Sequence, residues 1–257
     1  MFDRLYDLDL VVLYPALIVL IAGAGELGAW LDQRLRGSVS GGSDITTLAG
    51  AALGLLALLL AFSFSLALSR YEARRTQVLE EANAISSTAN FALMLPEPAQ
   101  KPILGMLRDY TAVRIELGVP YDPEKLQRDV RRSLELQARL WQQAVEVTAV
   151  APQSLPAYRF VGSLNEMNNI HERRLTALHY HVPGAVMYLL VGVAMVAMGF
   201  TGYHTGAMGL GRRVAVLMMS ITVAVVIMLV VDLDRPTRGL IVVPVQPLVD
   251  AAQGIPP

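Results

Sequence analysis

The chain of 257 residues contains no cysteine, which excludes disulfides, thiolate metal sites and cysteine nucleophiles and leaves the compartment open. Charge is scarce too: Asp, Glu, Lys and Arg make up 17% of the residues and nearly cancel, leaving a formal net charge of −1. Such a balance offers no basic footprint for nucleic acid, and no nucleic-acid partner is expected. Signatures of catalysis are missing as well. His171-Glu172 opens like a zinc-protease motif, but the residue four positions beyond His171 is Leu175, so the second ligand is lacking. No glycine-rich phosphate loop or nucleophile elbow occurs, and no cofactor, metal or enzymatic activity is expected.

What the chain has in abundance is apolar sequence, 54% of all residues. It collects in runs of about Leu10 to Trp30, Ile45 to Leu68, Val182 to Tyr203 and Val214 to Val231. Each is near the length a helix needs to cross a hydrocarbon layer of about 30 Å. Surface helices of a soluble domain would interrupt such runs with charge every three or four residues; only Glu26 does so here. With only two tryptophans, the composition fits a helical membrane class and not a porin-like barrel, whose strands would alternate. The fold class is therefore an all-α integral membrane protein in the lipid bilayer. Its organisation reads as a transmembrane pair (1–68), a helical region (69–181), a second pair (182–231) and a tail (232–257). The first run is read as a span and not a signal peptide, because Asp3, Asp7 and Asp9 outnumber Arg4 before it.

An even number of spans puts both termini and the central region on one side. Arg4, Arg70, Arg74, Arg75, Arg173, Arg174, Arg235 and Arg238 lie near span ends on that side, against Arg34, Arg36, Arg212 and Arg213 on the other. The positive-inside rule then makes that side the cytoplasm.

Proline and glycine divide the central region into four helices. Leu95-Pro96-Glu97-Pro98, Gly118-Val119-Pro120 and Ala151-Pro152 are the stops. Asp122-Pro123-Glu124 is an N-cap followed by proline at the first helical position, and the fourth helix is expected over about Ala157 to Tyr180. Nothing breaks the sequence between Leu66 and Asn90, so the second span should continue beyond the membrane as one rod. In the third helix Leu126, Val130, Leu134, Trp141 and Val145 form an apolar stripe expected to pack.

Several further motifs define a resemblance. They are Leu59-Leu60-Ala61-Phe62-Ser63-Phe64-Ser65 running into Ser69-Arg70-Tyr71-Glu72-Ala73-Arg74-Arg75, then Glu80-Glu81-Ala82-Asn83-Ala84-Ile85. Leu164-Asn165-Glu166-Met167-Asn168 with His171-Glu172-Arg173-Arg174 follows, and Asp232-Leu233-Asp234-Arg235-Pro236-Thr237-Arg238-Gly239 closes the last span. With these motifs and the order of elements, the chain resembles bacterial bestrophin-like membrane proteins, a family distantly similar to bestrophin ion channels. The resemblance implies a homo-oligomer, pentameric in bestrophins, in a bacterial cytoplasmic membrane. It also implies an axial pore for small ions, lined by the second span and opening into a cytoplasmic vestibule. It fixes neither the sign of the ion nor calcium gating, since only Asp232 and Asp234 stand where animal bestrophins carry a dense acidic cluster.

On a helix Phe62 and Phe64 are about 200° apart, so only one can face an axis. That one would form a hydrophobic constriction in an oligomer; plain packing is the alternative. Ser63 and Ser65 could line water or bond back to their own helix. Glu26 could set selectivity as a ring of carboxylates, or make an assembly contact. Small residues at Gly23, Gly25, Gly28 and Ala29, at Gly50 and Gly54, and at Gly192, Gly199 and Gly202 offer faces for close helix approach. Arg70, Arg74, Arg75, His171, Glu172 and Arg174 would either form a charge network between two rods or line the vestibule. Asp232 and Asp234 sit at a helix C-terminus, where the dipole disfavours them, which points to pairing with an arginine or a cation at the inner mouth. Two functions follow: an ion channel, or a non-conducting membrane scaffold or sensor whose helical region binds a partner.

Overall fold

The computed structural model describes residues 10–35, 42–117, 122–205, 210–235 and 239–257. Arg4, Arg36, Arg238 and the Gly118-Val119-Pro120 stop lie outside them. Among the described residues the elements are all helices: α1 (Leu10–Leu35), α2 (Gly42–Ala92), α3 (Glu97–Glu116), α4 (Pro123–Val150), α5 (Leu155–His179), α6 (Gly184–Thr205), α7 (Leu210–Asp234) and α8 (Gln246–Gly254). Four contain stretches long and apolar enough to cross a membrane: Val12–Leu35, Ile45–Ala92, Gly184–His204 and Arg213–Asp234. The second is 48 residues long, over twice the length the hydrocarbon layer needs. Its apolar part ends where Arg70, Glu72, Arg74 and Arg75 begin. As expected from the absence of breakers, α2 is one uninterrupted helix. The chain divides into two compact units, Met1–Ser69 with His181–Arg235, and Arg70–Tyr180 with Pro236–Pro257.

The membrane unit packs around Ile21 of α1, Leu56 of α2, Leu190, Ala194, Ala197 and Met198 of α6, and Val216, Val223, Ala224 and Ile227 of α7. Between membrane helices lipid competes equally for apolar side chains, so close backbone approach supplies the attraction. Glycines of α1 and α6 provide it. A Cβ on Gly28 would collide with the Gly199 carbonyl, and one on Gly202 with the Gly25 carbonyl. The small-residue faces are only partly used within the chain: Gly23, Gly50, Gly54 and Gly192 have open space where a Cβ would project. Two hydroxyls in this unit bond back within their own helix, Thr201 donating to Ala197 O at 2.8 Å and Ser220 to Val216 O at 2.9 Å, whereas the Thr46 hydroxyl of α2 lies 3.2 Å from His204 Nδ1 of α6.

The helical unit has a larger core, with Val78 and Ile85 of α2, Leu104 and Leu107 of α3, Leu136 and Leu140 of α4, and Phe160 and Leu164 of α5. Asp122 caps α4 as its sequence demands, its carboxylate accepting from Glu124 N at 2.9 Å. Ser154 caps α5 by accepting from Ala157 N at 3.3 Å, so that helix starts at Leu155, ahead of the expected Ala157. The stripe expected to pack on α4 is corrected over its C-terminal part, since Leu126 and Val130 are half-buried but the rest is not. Leu134, Trp141 and Val145 are exposed on the chain, and the helix instead buries Ser133, Leu136, Gln137, Leu140, Ala144 and Val147. Both stripes have helical spacing, and the buried one wins because Leu136, Leu140, Ala144 and Val147 join the core of α2, α3 and α5. Beyond Gly239 the segment read as a tail contains α8, which begins at Gln246 with Pro247 in its first turn and docks Leu248, Ala251 and Ile255 into the same core.

Candidate functional site

The membrane candidates sit on two helices. Along α2, Leu48, Leu55, Leu58 and Phe62 recur at spacings of seven, three and four, and all are at least half exposed, Phe62 most of all at 66%. Ser63 is buried, Phe64 partly covered and Ser65 exposed. The two phenylalanines thus face different surroundings, as their angular separation requires. Phe62 lies on the outward apolar stripe. On α1, Glu26 is exposed while Gly25, Gly28 and Ala29 beside it are buried against the bundle; no hydrogen bond or ion pair holds it among the described residues.

At the α7 end of the membrane unit, Asp232, Asp234 and Arg235 are buried. The Asp234 carboxylate accepts from Val182 N at 2.9 Å and lies 3.6 Å from His181 Nδ1, whose ring is also 3.2 Å from the Asp234 carbonyl. Asp234 therefore ties the end of α7 to the chain leading into α6. Among the described residues no three of His, Asp and Glu gather as metal ligands.

The helical unit contains a buried polar cluster built from four helices. Glu81 of α2 is its centre and is fully buried. Its Oε1 accepts from Arg114 Nε at 2.6 Å and from the Tyr110 hydroxyl at 3.2 Å, both from α3; its Oε2 accepts from Arg174 Nη1 of α5. The Tyr110 oxygen also accepts from Gln137 Nε2 of α4 at 3.3 Å and lies 3.2 Å from His171 Nδ1 of α5. Arg174 reaches on to the Arg114 carbonyl through both Nη atoms at 3.4 Å. The environment sets the protonation states. Burial pushes the Glu81 carboxyl up, but Arg114 and Arg174 overcome it and hold the group below its usual range. Burial, reinforced by Arg114, depresses His171 to about 4, so it is a neutral imidazole at pH 7. Burial, and then Glu81, raise the Tyr110 phenol, and burial lowers Arg174 against the pull of Glu81.

The charged residues singled out from sequence divide accordingly. His171 and Arg174 join the buried cluster with Glu81, and Arg74 is also buried. Arg70 stacks on the Tyr180 ring at 5.5 Å. Arg75 and Glu172 are exposed, Arg75 lining a groove with Glu72, Thr76, Pro244 and Gln246. A second, exposed link joins Arg173 to Glu166 at 2.8 Å and Glu80 at 3.9 Å. Sequence reasoning missed Tyr110, Arg114 and Gln137. The available signal was periodicity: Leu104, Leu107, Tyr110, Thr111 and Arg114 recur every three or four residues, which puts Arg114 on the buried face of α3.

The Bestrophin-like domain matches residues 19–248, nearly the whole chain. The chain belongs to the Bestrophin-like family. A bacterial bestrophin homologue from Klebsiella pneumoniae shares this bestrophin-like fold, with a TM-score of 0.71 at 14% identity over 95% of this chain and 97% of that one. A tyrosine-to-alanine variant of the Klebsiella homologue gives 0.72 at 13% identity, covering 93% and 96%. A further solved chain, described as a membrane protein with a proline-to-alanine substitution, gives 0.70 at 13% identity, covering 96% and 97%. At such identity the likeness concerns the fold. No curated protein matches this sequence.

Proposed function

We propose that this bestrophin-like chain assembles into a homo-oligomeric channel, a pentamer by family resemblance, and passes small ions down an axial pore. It resides in a bacterial cytoplasmic membrane with both termini and the helical unit in the cytoplasm, and it carries out no covalent chemistry. The observation that carries the proposal is the exposed stripe of α2, where Leu55, Leu58 and Phe62 present an apolar face that the described residues of a single chain do not cover. Around a symmetry axis, that stripe becomes a narrow hydrophobic neck, the kind of constriction that controls flux by wetting. Phe62 forms its ring; Phe64, about 200° away, packs outside it. Ser65 follows Phe62 on the exposed side, whereas Ser63 supports the bundle. Glu26, exposed and without a partner among the described residues, contributes a carboxylate ring or an assembly contact. Asp232 and Asp234 secure the inner mouth, and Arg70, Arg75 and Glu172 colour the potential of the vestibule.

A scaffold is the second reading. It draws on the exposed Trp141, Val145, Val150, Leu155 and Tyr158 of α4 and α5, an apolar patch suited to a partner. Ion flux into liposomes holding purified protein, driven in turn by sodium, potassium and chloride gradients, decides between them. The channel requires flux, with a rate changed by Phe62→Ala, little changed by Phe64→Ala, and an ion preference changed by Glu26→Gln. No flux from folded oligomer in any of these proteins would establish the scaffold instead.

A further inference from the structure

The buried cluster of the helical unit contains a charge imbalance that its own residues do not remove. Arg114 and Arg174 each pair with Glu81 and with no other carboxylate among the described residues, so two guanidinium charges meet one carboxylate charge. The surrounding groups add none: Tyr110 is a neutral phenol, His171 a neutral imidazole and Gln137 an amide. The arginines also differ in how their donors are used. Arg174 directs Nη1 to Glu81 and both Nη atoms to the Arg114 carbonyl. Arg114 uses only Nε, on Glu81 at 2.6 Å, while its Nη1 and Nη2 are buried without a hydrogen-bond partner among the described residues. The whole Arg114 residue is 0% exposed, so bulk water does not solvate that edge. Leaving charged donors buried and unpaired is among the costliest arrangements in a protein interior.

We propose that the Nη edge of Arg114 binds one small monovalent inorganic anion, a halide such as chloride. A water molecule could accept the two hydrogen bonds, but it would leave the net positive charge in place. A halide does both, converting two cations and one anion into two and two. Its single charge also matches the imbalance, whereas sulfate or phosphate would overcompensate it. The site belongs to the helical unit and does not depend on conduction: a non-conducting protein would keep it.

Thermal unfolding of the full-length protein in detergent tests this, with chloride or bromide replacing gluconate at constant ionic strength. The expected result is a saturable rise in Tm, about 5 °C at a hundredfold excess over the dissociation constant, absent with gluconate. Arg114→Gln leaves a one-to-one Glu81 and Arg174 pair and should abolish the halide response. Should that variant fail to fold, wild-type crystals grown in bromide give an independent answer, because an anomalous peak is expected within hydrogen-bonding reach of Arg114 Nη1 and Nη2. Equal stability in chloride and gluconate, or an ordered Arg114 whose neighbouring density has no anomalous signal and so is water, would overturn the proposal.

Discussion

The membrane spans and the core of the helical unit handle buried polarity differently. In the membrane unit Thr201, Ser220 and Thr222 each donate to a carbonyl four residues back in the same helix, and glycines bring α1 and α6 into backbone contact. These hydroxyls are satisfied locally and attraction between the spans comes from shape, while the long-range polar contacts of Thr46 with His204 and of Asp234 with Val182 N lie at span ends. In the helical unit Glu81 is satisfied by residues 33 and 93 positions away, inside an apolar shell that would penalise it if either partner left. The spans should tolerate loss of one such hydroxyl but not added volume at Gly28 or Gly202; the buried cluster should tolerate neither a missing charge nor an extra proton.

The largest expected effect is therefore on Glu81. Glu81→Gln leaves Arg114 and Arg174 buried without the carboxylate they share and should cost about 3–5 kcal/mol, read as a collapse of the Tm in detergent. Next comes volume in the membrane unit. Gly202→Ala puts a methyl group against the Gly25 carbonyl, which cannot rotate away, for about 1–3 kcal/mol of overpacking. Gly192→Ala, where the space is open, is the control and should leave the Tm unchanged. Equal effects from the two alanines would show that the close approach of α1 and α6 is not what holds that unit together.

Acid should distinguish the units further. His171 is held at about 4 in the folded chain, against 6.5 for the free imidazole. Between those values the unfolded chain binds the extra proton, so stability is complete above pH 6.5 and falls as the pH drops towards 4. Glu81, whose carboxyl is held below 4.5, adds its own loss below that pH. The Tm of the protein should decline from pH 6.5 downward, and His171→Gln should flatten the upper part of the decline. A variant with an unchanged acid profile would assign the effect to other groups.

Much of this architecture was legible in the sequence because it depends on local rules. Uninterrupted apolar length gives the spans, the lack of proline and glycine from Leu66 to Asn90 gives the continuous α2, and Asp122-Pro123 gives the start of α4. Glu81, His171 and Arg174 stood in motifs that could be singled out. Their partners Tyr110, Arg114 and Gln137 did not, because a buried ion cluster is assembled by tertiary packing between helices far apart in sequence. α8 was hidden for a related reason: nine residues with a proline near the start have little helical stability of their own, and the segment is held by burying Leu248 and Ala251.

The smallest predicted effect tests the one helix whose buried face the sequence misassigned. Leu134 and Leu136 are two residues apart on α4, chemically identical and equally helical, yet Leu134 is 44% exposed and Leu136 only 1%. Hydrophobic periodicity cannot rank them, because Leu134, Trp141 and Val145 fit a helical stripe as well as Leu136, Leu140 and Ala144 do. Packing ranks them. Leu136→Ala removes a side chain surrounded by core and should cost about 2–5 kcal/mol, whereas Leu134→Ala should shift the stability of an isolated chain by no more than about 0.5 kcal/mol. Comparing the pair in monomer and in assembled protein sharpens the test: a Leu134→Ala penalty that appears only on assembly would identify the exposed stripe as a contact between subunits.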